Sequence, residues 1–345
     1  MIREYQPGDE QQIQALFTKV FQKERTRSVW DWKFKGRMHE ARPWAFVFEE
    51  NNTIIGHISL WVSAAYIEGV EKKIGLRIDT MVDPDARGRG IYKRLNEKMI
   101  AKATEEGIFL LYGFPAEKAK DLLISYTGAV HIGNISRYTL ITNPAALAGA
   151  FLKAAKPFIP AGELFKKVKY ARVTKTLSPG WTVEEADNID SSFDKLAEDL
   201  KSLRPVMLKR DADFLKWRYF SHPENSYKLL ALWNNRELKG FVVVKKETKT
   251  TSKGSVYIGS IVDWLAYPED HIWDYLVTAA LEQLKNTAYI QTWVLPETEA
   301  ARSLKRGAFK EKDQPMPIVA HFLQETSSFM EKDSWWITQG DVDSF

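Results

Sequence analysis

Cysteine is absent from the 345 residues. That removes disulfides, thiolate metal sites and any acyl-enzyme route through a thiol. Histidine is scarce: His39, His57, His131, His222, His271 and His321 are scattered without the i, i+4 or short-gap spacing of metal ligands, so no metal is expected. Long apolar runs are missing too. The longest uncharged stretch, YTLITNPAALAGAFL ending at Leu152, falls short of a membrane span and contains a proline. The net charge is only +4, which permits a polyanionic ligand but lacks the concentrated basic stripe of a nucleic-acid binder. MIREYQPGDE is no signal peptide. The expectation is a cytoplasmic protein with no nucleic-acid partner and no membrane span; the oligomeric state is left open.

What is present is ordinary for a soluble globular protein, 44% hydrophobic and 27% charged residues, in a chain long enough for two domains. The densest basic segment runs from Lys153 through Lys166, Lys167, Lys169 and Arg172 to Lys175, with Glu163 its only acid. It reads as a solvated linker face, with contact to an anionic surface as the alternative.

The landmarks of the chain occur twice. WKFKG from Trp32 answers WRYFS from Trp217, and NNTIIGHISLWV from Asn51 answers NRELKGFVVVKK from Asn235. Gly56 to Asp79 spans 23 positions, as does Gly240 to Asp263, and a proline follows each aspartate by five residues, Pro84 and Pro268. A helix follows, with apolar residues at Ile91, Leu95 and Met99 in one copy and Tyr275, Ala279 and Leu281 in the other. Then come the strands IFLLYGFP and YIQTWVLP, and a short helix ending at Gly128 or Gly307. The order predicts two α/β copies, residues 1–142 and 181–325, joined by a proline-bearing linker, 143–180, and followed by a tail, 326–345.

The copies differ at one turn. The first reads DPDARGRGIYKRL and the second, shorter, reads EDHIWDYL. Were the glycines and arginines needed by the fold, the second copy would keep them. A loop leaving a strand and opening a helix aims backbone N–H groups at one spot and favours an anion; Gly88 and Gly90 permit close approach and positive φ, and Arg87 and Arg89 add donors. The P-loop signature is absent, and Lys93 stands where a dinucleotide fingerprint needs a third glycine.

With its flanks, IDTMVDPDARGRG and LLYGFP, this loop resembles that of the GCN5-related N-acetyltransferase (GNAT) superfamily, Q/R-x-x-G-x-G/A, falling here on Arg87, Gly90 and Tyr92; Tyr92 departs from the pattern. The resemblance covers residues 1 to about 325 and is to double-domain members. It implies an α/β (α+β) fold of two tandem GNAT-like domains, each a mixed, mostly antiparallel sheet flanked by helices. It also implies acetyl-CoA as donor, the pantetheine held along the backbone of Thr80, Met81 and Val82, and the pyrophosphate on Arg87, Gly88, Arg89, Gly90, Ile91 and Tyr92.

Acyl transfer to an amine needs a neutral nucleophile, stabilisation of the oxyanion and a proton for the thiolate. A strand N–H near Val82 suits the oxyanion. The resemblance offers Tyr126, two residues before Gly128, as the proton donor, at a gap shorter than the family's. Asp79 is a candidate base, but its counterpart Asp263 lies in the copy without the loop, which favours a structural role. Trp30, Trp32, Trp44, Trp61, Trp217, Trp233 and Trp264 read as packing residues. The tail Trp335–Phe345 is expected to dock over the first copy's acceptor cleft, with Asp341 and Asp343 either solvated or facing the amine. A resemblance to enhanced intracellular survival acetyltransferases, which use a terminal carboxylate as base, points to Phe345.

The expected function is direct acetyl transfer from acetyl-CoA to a small-molecule or peptide amine, with the second copy shaping the acceptor site. Two alternatives stand beside it: a non-catalytic acyl-CoA-binding protein, and an aminoacyl-tRNA-dependent aminoacyltransferase of the peptidoglycan-bridge type, against which the intact loop and mild charge argue.

Overall fold

A computed structural model describes residues 1–36, 43–324 and 329–343. The first copy comprises β1 (Ile2–Glu4), α1 (Glu10–Phe21), α2 (Arg27–Phe34), β2 (Ala45–Glu50), β3 (Thr53–Ile67), β4 (Val70–Val82), α3 (Ile91–Glu105), β5 (Leu110–Gly113), α4 (Glu117–Thr127) and β6 (Val130–Ile141). Two linker helices follow, α5 (Pro144–Gly149) and α6 (Ile159–Val173). The second copy holds β7 (Trp181–Glu185), α7 (Ser191–Asp199), β8 (Val206–Leu208), α8 (Ala212–Leu215), β9 (Tyr227–Asn234), β10 (Glu237–Thr251), β11 (Gly254–Ala266), α9 (Asp270–Gln283), β12 (Tyr289–Val294), α10 (Glu299–Arg306) and β13 (Lys310–Phe322). The short β14 (Trp335–Trp336) ends the series.

Apart from the extra β8, the two copies run in the same order. Their sheets are one sheet, in the order β1-β2-β3-β4-β5-β13-β6-β12-β11-β10-β9-β7. The last strands have changed places. β6 leaves β5 and pairs with β12 from Ile141↔Tyr289 to Ser136↔Val294, while β13 takes the position beside β5, Val319↔Gly113 to Phe322↔Leu110. β6 and β13 pair with each other at the centre. The junction therefore consists of backbone hydrogen bonds as well as packed side chains.

Helical periodicity explains the layers. Ile91, Leu95, Met99 and Ala103 fall four apart on α3 and are buried against Phe46, Phe48, Ile58 and Leu60 of β2 and β3. On the other face, α2 turns Trp30, Trp32 and Phe34 inward. The repeat-related Trp32 and Trp217 meet across the junction with ring centroids 5.3 Å apart. Trp32 Nε1 donates to the Trp217 carbonyl at 2.9 Å and Trp217 Nε1 to that of Trp32 at 3.2 Å. This reciprocal pair satisfies both buried indoles.

Candidate functional site

β4 and β5 are parallel neighbours only over Ile74–Leu76 and Leu110–Tyr112. β4 then runs on to Val82 while β5 ends at Gly113. A cleft of about 680 Å³ opens where they part, lined by Arg77 to Thr80 on one side and Gly113 to Ala116 on the other. Among the described residues, no strand lies on the β5 side of the β4 backbone beyond Leu76, so it offers an edge to an extended ligand. A bulge re-aims this stretch. The register against β3 slips between His57↔Met81 and Ser59↔Ile78, with Asp79 at φ 46°.

The glycine-rich loop lies at the open end. Gly88 and Gly90 take φ of 79° and 70°, conformations that an L side chain resists. Among the described residues, no acceptor meets the backbone N–H groups from Gly88 to Lys93, and the first helical bond runs from Arg94 N to Gly90 O at 3.1 Å. An ordinary helix start leaves its first turn of donors free; here the loop extends that run and adds the helix dipole. Of the two arginines, Arg89 is held by Glu50 at 2.5 Å, and Arg87 is exposed.

Arg77 was not singled out by its sequence. It lines the cleft, donates Nη1 to Asn96 Oδ1 at 2.5 Å, and leaves Nε and Nη2 buried with no hydrogen-bond partner among the described residues. Burial brings its pKa down to about 10, with no carboxylate to hold it up. An unpaired buried guanidinium is costly and asks for an anion or another acceptor. The equivalent position in the second copy is Ile261, buried in the core.

The β4 wall also carries an ion network. Burial alone would raise the pKa of Asp79, but Lys33 at 2.9 Å and Arg25 outweigh it and hold the carboxyl far below its ordinary range. Asp79 is thus a fixed anion and a poor base. Lys33 also binds Asp343 at 2.7 Å, which brings the tail into the cleft wall. From the second copy come His222, Glu224 and Asn225. Burial, reinforced by Arg218, lowers His222 to about 4, so it is neutral at pH 7. Its Nδ1 accepts from the backbone N–H groups of Glu224 and Asn225 at 3.1 and 3.0 Å. Glu24 and Glu224 add carboxylates to this side.

In the second copy the corresponding gap is filled. Beyond Ile261↔Thr292 the β11 and β12 strands part, and the tail enters. Thr338 bridges to Val294, and Arg210 joins Asp263 at 2.8 Å to Asp341 at 2.6 Å, all three buried. Tyr219 donates to Asp263 at 2.7 Å. A Cβ at Gly340 would stand 2.2 Å from the Tyr219 hydroxyl, which shows how closely the tail fits. Where α3 has its glycine loop, α9 begins with Glu269 and Asp270.

Of the residues expected from sequence, Thr80 and Tyr92 line the cleft, Met81 is buried in the core, and Val82 pairs with Gly56. Tyr126 is exposed on α4, outside the cleft lining, with its ring 6.3 Å from that of Tyr92. The expectation for the tail is corrected in part. Trp335 and Ile337 join the first copy's core, Trp335 lying beside Tyr112; Trp336 packs on Trp273 in the second copy and pairs with β8; Asp341 is buried in the second copy; and Asp343 reaches the first copy's cleft. Asp341 is a buried ion-pair partner instead of a solvated acid. Phe345 lies outside the described residues. Arg77, Lys33, His222 and Glu224 went unnoticed in the sequence. Only Arg77 left a signal there, an arginine at a repeat position where the other copy has isoleucine. Among the described residues no group of three histidine, aspartate or glutamate side chains is placed to hold a metal ion, and no helix is long and apolar enough to cross a membrane.

A family model for the acetyltransferase (GNAT) domain matches residues 1–120. No curated protein matches the chain significantly. Among solved structures, a GCN5-related N-acetyltransferase from Anabaena variabilis is similar at TM-score 0.68 and 12% identity, covering 94% of this chain and 73% of that one. One from Kribbella flavida is similar at TM-score 0.61 and 12% identity, covering 93% and 70%. N-myristoyltransferase of Saccharomyces cerevisiae with bound myristoyl-CoA reaches TM-score 0.59 at 11% identity, covering 94% and 83%. At these identities the likeness concerns the fold, and it spans both copies. The family model thus identifies a GNAT domain in residues 1–120, and the likeness to these solved structures shows the same fold extending over both copies.

Proposed function

We propose that the protein is an acyl-CoA-dependent N-acyltransferase that moves an acetyl group directly to an amine in the first copy. The observation that carries this reading is the pairing of splayed strands with the run of free N–H donors at their open end. An extended, anionic ligand fits that combination, and the second copy has neither part open. Arg77 supports it as a buried cation beside the same cleft. The pantetheine would lie along Thr80 to Val82 and the pyrophosphate on Gly88 to Tyr92.

In this reading the neutral amine attacks the thioester carbonyl, the C–N bond forms and the C–S bond breaks; the nitrogen releases one proton to solvent, and the departing thiolate takes one from a protein hydroxyl that solvent then reprotonates. Two tyrosines are candidates for that proton: Tyr126 at the helix end and Tyr92, which lines the cleft. Burial raises the pKa of Tyr92 and Arg77 opposes the rise, so the hydroxyl is protonated at neutral pH. Glu24, Glu224 and Asp343 give the acceptor wall carboxylates that attract a cationic amine. The second copy shapes that wall through His222 to Asn225.

The test is thiol release from acetyl-CoA over a panel of aminosugars, polyamines, amino acids and peptides. Turnover with one class supports the enzyme. CoA binding without turnover across the panel supports a non-catalytic acyl-CoA-binding protein instead.

A further inference from the structure

α6 is inverted relative to an ordinary surface helix. It turns Gly162, Lys166 and Tyr170 toward the body, while Leu164, Phe165 and Val168 stand 65%, 48% and 46% exposed. A surface helix is normally held down by its apolar stripe. This one is anchored at its end by Tyr170 and Val173 on the second copy's core and elsewhere by polar and close contacts. Asn143 Nδ2 donates to Glu163 Oε1 at 2.7 Å, Glu163 binds Lys166 at 2.6 Å, and Lys169 Nζ donates to the Ile141 carbonyl at 3.1 Å. A Cβ on Gly162 would lie 1.9 Å from Asn143 Oδ1, so this face seats only glycine. The outward apolar face is therefore built into the fold. The preceding turn extends it with Phe151, Leu152 and Phe158, all exposed.

Cations from two distant segments meet beside this face, around Phe151 and Lys156. Lys153, Lys156 and Lys167 come from the linker and are exposed. Lys249 and Lys253 come from the hairpin of β10 and β11, where Lys249 Nζ lies 5.6 Å from the Phe151 ring centroid. Thr251 Oγ1 donates to the Ala150 carbonyl, and a Cβ on Gly254 would be 3.6 Å from Lys156 Nζ. From residue 153 to 175 the one acid is Glu163, already paired with Lys166.

We propose that this face seats the protein on an anionic lipid surface, with Leu164, Phe165 and Phe158 entering the headgroup boundary and the lysines meeting lipid phosphates. A contiguous exposed apolar patch marks an interaction site, and the ring of lysines calls for an anionic occupant. A second copy of this chain fits poorly, because a twofold contact would press the same lysines together. The inference is independent of the acyl-transfer reading.

The test is flotation of the full chain with phosphatidylcholine vesicles, with and without phosphatidylglycerol. The wild type should float with the anionic vesicles only. Leu164→Ser with Phe165→Ser should abolish flotation, and Lys153→Gln with Lys249→Gln should weaken it by on the order of tenfold or more. Both variants should keep the wild-type melting temperature and CoA binding, since neither pair touches the cleft. Absence of wild-type flotation, or undiminished flotation of the double serine variant, overturns the proposal. So does light scattering in which the wild type self-associates and the serine variant is monomeric, which would make the face a contact between copies.

Discussion

Replacing Gly90 separates the backbone role of the loop from its charge. Gly90 adopts φ 70° and ψ 10°, and a Cβ there meets no atom within 4 Å. Gly90→Ala therefore costs only the left-handed backbone penalty, about 1–2 kcal/mol of stability. Gly90→Glu has the same penalty, offset by about 0.3–1 kcal/mol because its carboxylate stands at the start of α3. The two variants should melt at nearly the same temperature. Toward CoA they should part. A carboxylate within about 4 Å of a bound phosphate, at an effective dielectric near 20, repels it by about 4 kcal/mol. That corresponds to a loss of affinity approaching a thousandfold. Calorimetric titration with CoA should show the alanine variant within about tenfold of wild type, the scale of its backbone penalty, and the glutamate variant weaker by about a hundredfold or more. Wild-type affinity in Gly90→Glu refutes the loop as the phosphate site. Equal losses in both variants refute the electrostatic argument, since the backbone alone would then decide.

Four further outcomes are expected. Titration should give one CoA per chain, because the tail fills the second copy's gap; two equivalent sites would contradict this. Asp341→Ala removes one of the two carboxylates on the buried Arg210 and should cost about 3–5 kcal/mol by chemical denaturation; a change within about 0.5 kcal/mol, the ordinary surface scale, would show that the tail is not anchored there. Asp79 has a depressed folded pKa, so its contribution is complete above the unfolded value of about 3.9 and is lost as pH falls toward the folded one; Asp79→Asn should be less stable at neutral pH yet lose less on acidification, and parallel pH profiles would count against the network. Tyr92→Phe and Tyr126→Phe should differ in kcat with CoA affinity kept, the larger fall marking the proton donor; unchanged kcat in both removes tyrosine from the mechanism.

The repeat was legible because its landmarks do local work. Glycines, prolines and helix-facing tryptophans recur wherever the same turns and layers recur, and the one turn that did not recur marked the candidate site. The strand exchange was not legible. β6 and β13 hold equivalent places in the two copies, and backbone hydrogen bonds, which every residue but proline can make in full, join either one to β5 or β12 equally well. The tail's path was legible only in part, for a related reason. Trp335, Trp336 and Ile337 announced that they would be buried, but burial is non-directional, and only the register with β8 and Val294 decides where. Arg77 reads in GLRID as a routine polar position of a half-exposed strand; its isolation arises from the parting of β4 and β5, which no local spacing encodes.

The exchange also has a consequence in time. β5 ends at Gly113, and the strand that completes its edge begins at Lys310. At a synthesis rate of about 5–20 residues per second, the nascent first copy waits roughly 10–40 s for β13. Throughout that interval the wall of the cleft lacks its outer neighbour, and β5 presents an unpaired edge to other chains. At four residues it is short enough to be a poor template for pairing. The brevity of β5 thus has a use on the ribosome that it lacks in the finished molecule.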